Sequence, residues 1–132
     1  MPAVLDTHAI LWYLLESDKL SERSYALIDS AAASDTPTYI SAISLVEVVY
    51  LAERGRIAAG AFDKLISELS GENPAFTVVP VDLHVASALG RISRTLVPDM
   101  PDRIIAATAL HLGLPVVTRD RRLQSAGIQT IW

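Results

Sequence analysis

The sequence contains no cysteine. This absence excludes a disulfide framework and any zinc site built from thiolates, and it is typical of proteins that work in a reducing cytoplasm. No apolar run approaches the roughly 20 residues that a membrane span needs, and no basic stretch precedes the acid at position 6, as it would in a secretory signal. We therefore expect a cytoplasmic protein with no membrane partner.

Positive charge is also scarce. Eleven Lys and Arg residues face fifteen Asp and Glu residues, and the net charge is −4. A protein that coats DNA is normally basic, so that class is disfavoured, whereas an enzyme that holds nucleic acid locally is not. The 132 residues are 51% hydrophobic, with a mean hydropathy of +0.34. This size predicts a single domain over residues 1–132, with apolar surface available for a partner.

Strands and helices are predicted to alternate along the chain. Short apolar or β-branched runs bounded by turns or acids predict five strands, over residues 2–6, 36–40, 76–81, 114–117 and 128–131. Helical spacing and capping residues predict helices over approximately 7–16, 21–33, 44–54, 60–70, 82–94, 102–113 and 121–125. Such alternation predicts an α/β fold with a parallel sheet covered by helices on both faces.

Four acids are predicted to lie at one edge of this sheet, because ligands bind beyond the carboxyl ends of parallel strands. Asp6 ends the first strand, and Asp120 follows the fourth. Glu47 lies in the first turn of the helix after the second strand, and Asp102 lies at the start of the helix before the fourth. All four reach the same edge if the first, second and fourth strands are neighbours.

Each acid also has a structural interpretation. Glu47 can complete a capping box with Ser44, Asp102 can be a helix N-cap, and Asp120 can be a turn residue. Asp82 looks like a cap alone, and we assign no chemistry to it. Asp6 is the hardest to explain structurally, because a charged group at the end of an apolar strand is costly unless something satisfies it.

Together the four acids indicate a metal site. Carboxylates that converge repel one another, by roughly 4 kcal/mol for a pair about 4 Å apart at an effective dielectric constant of 20, so they must hold protons or bind cations. Hard oxygen ligands without cysteine or paired histidine favour Mg²⁺ or Mn²⁺ over zinc. Such an ion suits phosphodiester cleavage, because it activates water and neutralises developing charge.

Four segments in order resemble the motifs of PIN-domain proteins. These segments are 4–9 (VLDTHA), 43–48 (ISLVEV), 101–107 (PDRIIAA) and 117–120 (VTRD). They are most similar to the VapC toxins of bacterial toxin–antitoxin pairs, and the match spans essentially the whole chain. The resemblance implies a PIN-like three-layer fold with a parallel five-stranded sheet in the order 3-2-1-4-5. It also implies an endoribonuclease, dependent on Mg²⁺ or Mn²⁺, that cuts tRNA or ribosomal RNA and inhibits translation.

The resemblance also assigns residues and partners. It implies that the catalytic, metal-binding acids are Asp6, Glu47, Asp102 and Asp120, with Asp99 as a peripheral candidate. It further implies a homodimer and a cognate antitoxin whose carboxyl-terminal segment covers the site. From the residues themselves, the hydroxyls of Thr7 and Thr118 are candidates to orient a carboxylate or a water at the site. A helix cap for Thr7 and an ordinary strand residue for Thr118 explain them about as well.

Several residues beside the acids are weaker candidates. Arg103, Arg119 and Arg121 are candidate RNA contacts, although surface solubility explains each of them at least as well. For His8 we favour helix packing or the surface over a role as general base. For Trp12 and Tyr13 we favour contacts with the core or a partner over stacking on a base.

Alternative classes differ in what the sequence contains. A receiver domain needs a lysine at a late strand end, and the chain has lysines only at positions 19 and 64. A haloacid-dehalogenase phosphatase needs an Asp where His8 stands, and no G-x-G-x-x-G follows the first strand as a dinucleotide-binding domain requires. Two alternatives stay open: a PIN-like module that binds or regulates without catalysis, and DNA as the substrate.

Overall fold

Helices and strands alternate through the chain, as predicted. The computed structural model describes residues 2–132, so Met1, the first residue of the predicted domain, lies outside the described residues. In chain order the elements are β1 (Ala3–Leu5), α1 (Thr7–Leu14), α2 (Glu22–Ala33), β2 (Thr38–Ser41), α3 (Ala42–Glu53), α4 (Ala61–Leu69), β3 (Thr77–Val79), α5 (Leu83–Leu89), α6 (Met100–Leu112), β4 (Val116–Val117), α7 (Arg122–Ser125) and β5 (Thr130–Ile131).

The five strands form one parallel sheet in the order β3-β2-β1-β4-β5. This arrangement confirms the predicted α/β class and the strand order 3-2-1-4-5. The central strand is β1, in which Leu5 is paired with Ile40 on one side and with Val117 on the other. Because all strands run the same way, their carboxyl ends lie along one edge, and the residue after β1 lies at the middle of that edge.

Two apolar layers enclose the sheet, because successive side chains of a strand point to opposite faces. On one face, Leu5 and Val117 pack among residues of α1, α2, α3 and α4. On the other face, Val4 and Val116 pack among residues of α5 and α6. All four side chains are fully buried. Helices therefore cover both faces, which confirms the three-layer arrangement.

The starts of two helices differ from the prediction. Ser41, rather than Ser44, caps α3 by accepting a hydrogen bond from the backbone N–H of Ile43, so the predicted capping box of Ser44 and Glu47 is wrong. Asp99 caps α6, which begins before Asp102. In both cases a polar residue one turn earlier along the chain takes the capping position. The predicted cap Asp82 is confirmed at α5.

Helix α5 ends earlier than the predicted position near Arg94. Its last residue is Leu89, and turns follow it. The Arg103 side chain donates hydrogen bonds to the backbone carbonyls of Leu89 and Ile92, at 3.2 and 3.1 Å. Arg103 therefore ties the end of α5 and the turn that follows it to α6. None of the helices within residues 2–132 is both long and apolar enough to cross a membrane.

Candidate active site

Asp6 joins the central strand to helix α1. Its backbone N–H extends the ladder to Val117, and its Oδ1 caps α1 by accepting a hydrogen bond of 2.8 Å from the N–H of Ala9. Burial raises the pKa of Asp6, against the opposing effects of the Thr118 hydroxyl, the Ala9 N–H and the charge of His8. Asp6 is thus both a helix cap and a partly buried acid that resists ionisation.

Glu47 lies on α3 and points toward the start of α1. Its Oε1 accepts a hydrogen bond from the hydroxyl of Thr7, and the same hydroxyl lies 2.9 Å from that of Ser44. Both hydroxyl-bearing residues are buried. Burial raises the pKa of Glu47, the Thr7 hydrogen bond opposes the rise, and the charge of Asp99 adds to it. Glu47 does not cap its helix. Its carboxylate is instead held by Thr7, the residue next to Asp6.

Asp102 lies in the first turn of α6, and its pKa is raised well above that of an ordinary aspartate. The carboxylate of Asp99 accepts the N–H of Asp102 at 3.1 Å and so performs the capping. Burial raises the pKa of Asp102 to about 7, and the rise is increased by the charges of Asp99, Glu47, Asp120 and Asp6. Every one of these causes disfavours the ionised form, so Asp102 lies where negative charge accumulates.

Asp120 differs from the other three acids, because a guanidinium donates hydrogen bonds to its carboxylate. The guanidinium of Arg122 binds both of its carboxylate oxygens, at 2.8 to 3.1 Å, and lowers the pKa of Asp120. The Thr118 hydroxyl accepts the N–H of Asp120 at 3.0 Å and also faces the Asp6 carboxyl. Thr118 therefore links two of the predicted acids.

The structure brings the predicted acids, with Asp99, into one region at the carboxyl edge of the sheet. A single nitrogen of Arg122 lies 2.8 Å from Asp120 and 3.5 Å from Asp102. Within residues 2–132, however, no three acidic or histidine side chains surround a common point closely enough to hold a metal ion. Glu47 is turned to Thr7 and Asp120 to Arg122. A shared cation therefore requires a side chain to turn or a water molecule to bridge.

The donor set nevertheless fits a hard divalent cation. Three acids have raised pKa values because they are buried near one another, and the only ion pairs between side chains in the described chain are those of Arg122. The negative charge is thus only partly compensated. Carboxylate oxygens from separate elements, without sulfur, are the ligands that Mg²⁺ and Mn²⁺ prefer.

The three arginines predicted as RNA contacts occupy different environments. Arg103 donates hydrogen bonds to one carbonyl at the end of α5 and one in the turn after it, so its side chain supports the fold, and its prediction as an RNA contact is not supported by this geometry. Arg119 is exposed, and its guanidinium lies 4.8 Å from the centre of the Trp12 ring. Arg121 is exposed beside α7.

Arg122 is the one arginine beside the acids to which the sequence assigned no role. The signal was its position two residues after Asp120, where a turn folds the chain back before α7. Its backbone N–H donates to the Asp120 carboxylate at 2.9 Å, and its side chain then closes on the same group. The acidic edge therefore contains its own cation at the Asp120 end.

Replacing Arg122 with glutamine is expected to increase the affinity for Mg²⁺ severalfold, because Asp120 then becomes free to bind the ion. The effect is modest, since the side chain of Arg122 is 54% exposed and exposed ion pairs are weak. Calorimetric titration with Mg²⁺ measures it. Arg121→Gln removes the same charge one residue away and provides the control. Equal affinities for the two variants would show that Arg122 does not compete with the ion.

Helix α1 carries three ring side chains, of which His8 and Trp12 line the same groove as Asp6. His8 is exposed and tilted against the ring of Trp12, with centroids 5.5 Å apart. Trp12 is half-buried and also meets the edge of Trp132. Tyr13 packs edge-on against the buried Phe76, so its predicted contact with the core is confirmed.

Comparison with known proteins places the chain in a family. The model of the PIN domain matches residues 3–128. The chain belongs to the PIN-domain family, whose fold and motif order agree with the sheet and the acids described above. It is 31% identical over 122 residues to Ribonuclease VapC22 of Mycobacterium tuberculosis, an alignment that covers 92% of this chain and 89% of that protein.

Solved structures with the same fold include a toxin–antitoxin complex from Klebsiella pneumoniae, with a TM-score of 0.65 at 20% identity and coverage of 98% of this chain and 96% of its own. VapBC2 from Rickettsia felis, bound to a DNA fragment from its promoter, has a TM-score of 0.75 at 18% identity and covers 99% of this chain and 98% of its own. FitAcB from Neisseria gonorrhoeae has a TM-score of 0.69 at 27% identity, with coverage of 100% and 97%. At 18% identity, the likeness to VapBC2 supports the fold alone.

Proposed function

We propose that the protein is a metal-dependent endoribonuclease and the toxin of a toxin–antitoxin pair. The main support is that Asp6, Glu47 and Asp102, from separate segments, lie near enough for their charges to affect one another, and that burial raises their pKa values. The likeness to a VapC ribonuclease over nearly the whole chain adds the reaction class. The substrate classes proposed are tRNA and ribosomal RNA.

The proposed ion is Mg²⁺ or Mn²⁺, held by Asp6, Glu47 and Asp102 directly or through water. Such an ion supplies Lewis-acid chemistry, lowering the pKa of water and offsetting charge that develops on a phosphate. The chain's own contribution is to fix the ligands: Thr7 holds Glu47, and Thr118 faces Asp6. Carboxylates oriented by such hydrogen bonds lose less freedom on binding.

Asp120 has a distinct place in this proposal. The Arg122 guanidinium keeps it ionised and fixes its orientation. Asp120 therefore completes the ligand set, or helps to hold a second ion, only when Arg122 releases it. In the resting arrangement Asp120 and Arg122 form a neutral pair at the rim of the site.

The test is cleavage of RNA by the purified chain with Mg²⁺, with EDTA, and after Glu47→Gln. Cleavage is expected to stop with EDTA and to fall at least about 100-fold in the variant, because even residues that only orient metal ligands typically contribute 10- to 100-fold. Glu53→Gln changes an exposed acid on the same helix and is expected to cleave normally. If Glu47→Gln and the native chain cleaved equally, the assigned site would be wrong.

The same assay separates the two open alternatives. Matched RNA and DNA hairpins distinguish the substrates, and we expect cleavage of RNA. Failure to cleave either, with Mg²⁺ or Mn²⁺ present, would favour a PIN-fold module that binds without catalysis. Because RNA and translation are cytoplasmic, the proposed activity belongs to that compartment.

A protein partner is the remaining part of the proposal. Large apolar side chains stay exposed, among them Leu83 at 76%, Met100 at 62% and Tyr50 at 55%. Apolar surface of this kind often marks a protein interface. Structural neighbours solved as toxin–antitoxin complexes point to an antitoxin as one such partner, and a second copy of the chain is the other that we propose.

A further inference from the structure

A groove with a volume of about 840 Å³ continues from the acidic edge. Asp6 and Asp120 contribute to its lining, so any molecule in the groove lies beside the proposed catalytic acids. The rest of the lining is different in chemistry: it includes the apolar side chains of Leu11 and Leu51 together with an aromatic ring and several cations. The groove therefore extends from the acids onto a surface of apolar, aromatic and cationic side chains that has no role in metal binding.

In the aromatic part of the groove, an arginine side chain and a tryptophan ring are already stacked on each other. The Arg119 guanidinium lies over the half-buried ring of Trp12, and His8 is tilted against the same ring. Packing against Trp132 limits the freedom of Trp12. Nucleic-acid bases stack on aromatic rings and on arginine planes, so this pair offers a base a firm surface.

Positive charge gathers around the same groove, although the chain as a whole is acidic. Lys19, Arg56 and Arg119 line it, and all three are exposed. Within residues 2–132 none of them has a carboxylate at salt-bridge distance, since every ion pair there involves Arg122. Three cations without an internal partner complement the phosphates of a nucleic-acid backbone.

We propose that this groove binds single-stranded RNA, with the nucleotide next to the cleaved phosphate stacked on the Arg119–Trp12 pair. The inference rests on the proposed function only where it places the nucleotide next to a phosphate that is cleaved. The binding itself does not require catalysis. Single strands fit better than duplexes, because only an unpaired base exposes its face. An apolar peptide is a poorer occupant, since it leaves Lys19, Arg56 and Arg119 without counter-charges.

Fluorescence of Trp12 provides the test. The Trp132→Phe variant leaves Trp12 as the single tryptophan, and Glu47→Gln in the same chain prevents cleavage. A single-stranded RNA of eight nucleotides with mixed sequence is expected to quench Trp12 saturably. Anisotropy of the same labelled RNA, measured with Trp132 intact, guards against a folding defect caused by the phenylalanine.

Substitutions in the groove are expected to weaken this binding. Arg119→Ala should lower the affinity about tenfold, in the range found for the loss of a stacking partner. Arg56→Ala should reduce the slope of log affinity against log salt by about 0.7, the value for one phosphate contact on a single strand. Arg94→Ala removes an equal charge from an exposed position outside the groove, and it should leave the affinity within about twofold.

The outcomes separate the groove from the catalytic proposal. If RNA binds to the groove variants as tightly as to Arg94→Ala, or binds without quenching Trp12, the groove is not the RNA site. Quenching by a protein partner but not by RNA would assign the groove to that protein and overturn the inference. Quenching by RNA with no cleavage by the native chain would leave the groove assignment standing and refute the ribonuclease. RNA cleavage that is unaffected by Arg119→Ala would leave the ribonuclease standing and refute the groove assignment.

Discussion

Replacing Asp6 with asparagine is expected to lower the rate of RNA cleavage at least about 100-fold while leaving the fold intact. Asparagine caps a helix about as well as aspartate, so the hydrogen bond from the Ala9 N–H to this side chain survives. The change also removes a buried acid whose pKa is raised by burial. The loss of cleavage therefore reflects the missing carboxylate, through the expected effect of removing a metal ligand.

Asp82→Asn is the matched control for this experiment. Asp82 caps α5 by the same kind of hydrogen bond, accepting the N–H of Val85 at 3.1 Å, but no acid of the site is among the charges that affect its pKa. Both variants should keep the circular dichroism spectrum of the native chain, and only Asp6→Asn should lose cleavage. Equal activity in the two variants would remove Asp6 from the catalytic set.

Raising the pH from about 5 to about 8 without divalent cations is expected to lower the melting temperature by several degrees, on the order of 5 °C. The pKa of Asp102 is raised to about 7 in the folded chain, against about 3.9 for an unfolded aspartate. Between these two pKa values, the carboxyl group of Asp102 is protonated in the folded chain and ionised in the unfolded chain. Stability is therefore greatest at low pH and is lost as the pH rises through the folded pKa.

The raised pKa values of Asp6 and Glu47 act in the same direction. Asp120 has a lowered pKa, so its contribution changes only at more acidic pH. Asp102→Asn should flatten the dependence on pH and raise the melting temperature at pH 8. Added Mg²⁺ should restore stability at pH 8 in the native chain but much less in the variant. A melting temperature independent of both pH and Mg²⁺ would contradict the crowding of the acids.

The sheet was predictable because its strands are short apolar runs separated by clear helical patterns. Its order, by contrast, came from the resemblance, since pairing between distant strands leaves no local signal. Helix starts were less predictable. Ser41 and Ser44 both suit an N-cap, as do Asp99 and Asp102, and the choice within each pair depends on tertiary packing. In both pairs the earlier residue is the cap, which leaves Ser44 to contact Thr7.

The predicted site acids gather at the predicted edge, whereas the arginines were harder to assign. Position beside an acid does not indicate where a long, flexible side chain points. Arg103 turns away to the end of α5, and Arg122, to which the sequence assigned no role, closes on Asp120. Trp12 was expected to make core or partner contacts, and its half-buried ring on the groove became evident only from the tertiary arrangement.

Titration with Mn²⁺, followed by the paramagnetic resonance of the free ion, tests the shared metal site most directly. The native chain should bind at least one ion, and binding should weaken strongly in Asp6→Asn, Glu47→Gln and Asp102→Asn. Asp82→Asn and Glu53→Gln should bind like the native chain. Failure of the native chain to bind Mn²⁺, or equal binding by all the variants, would contradict the proposal that these separated carboxylates serve one ion.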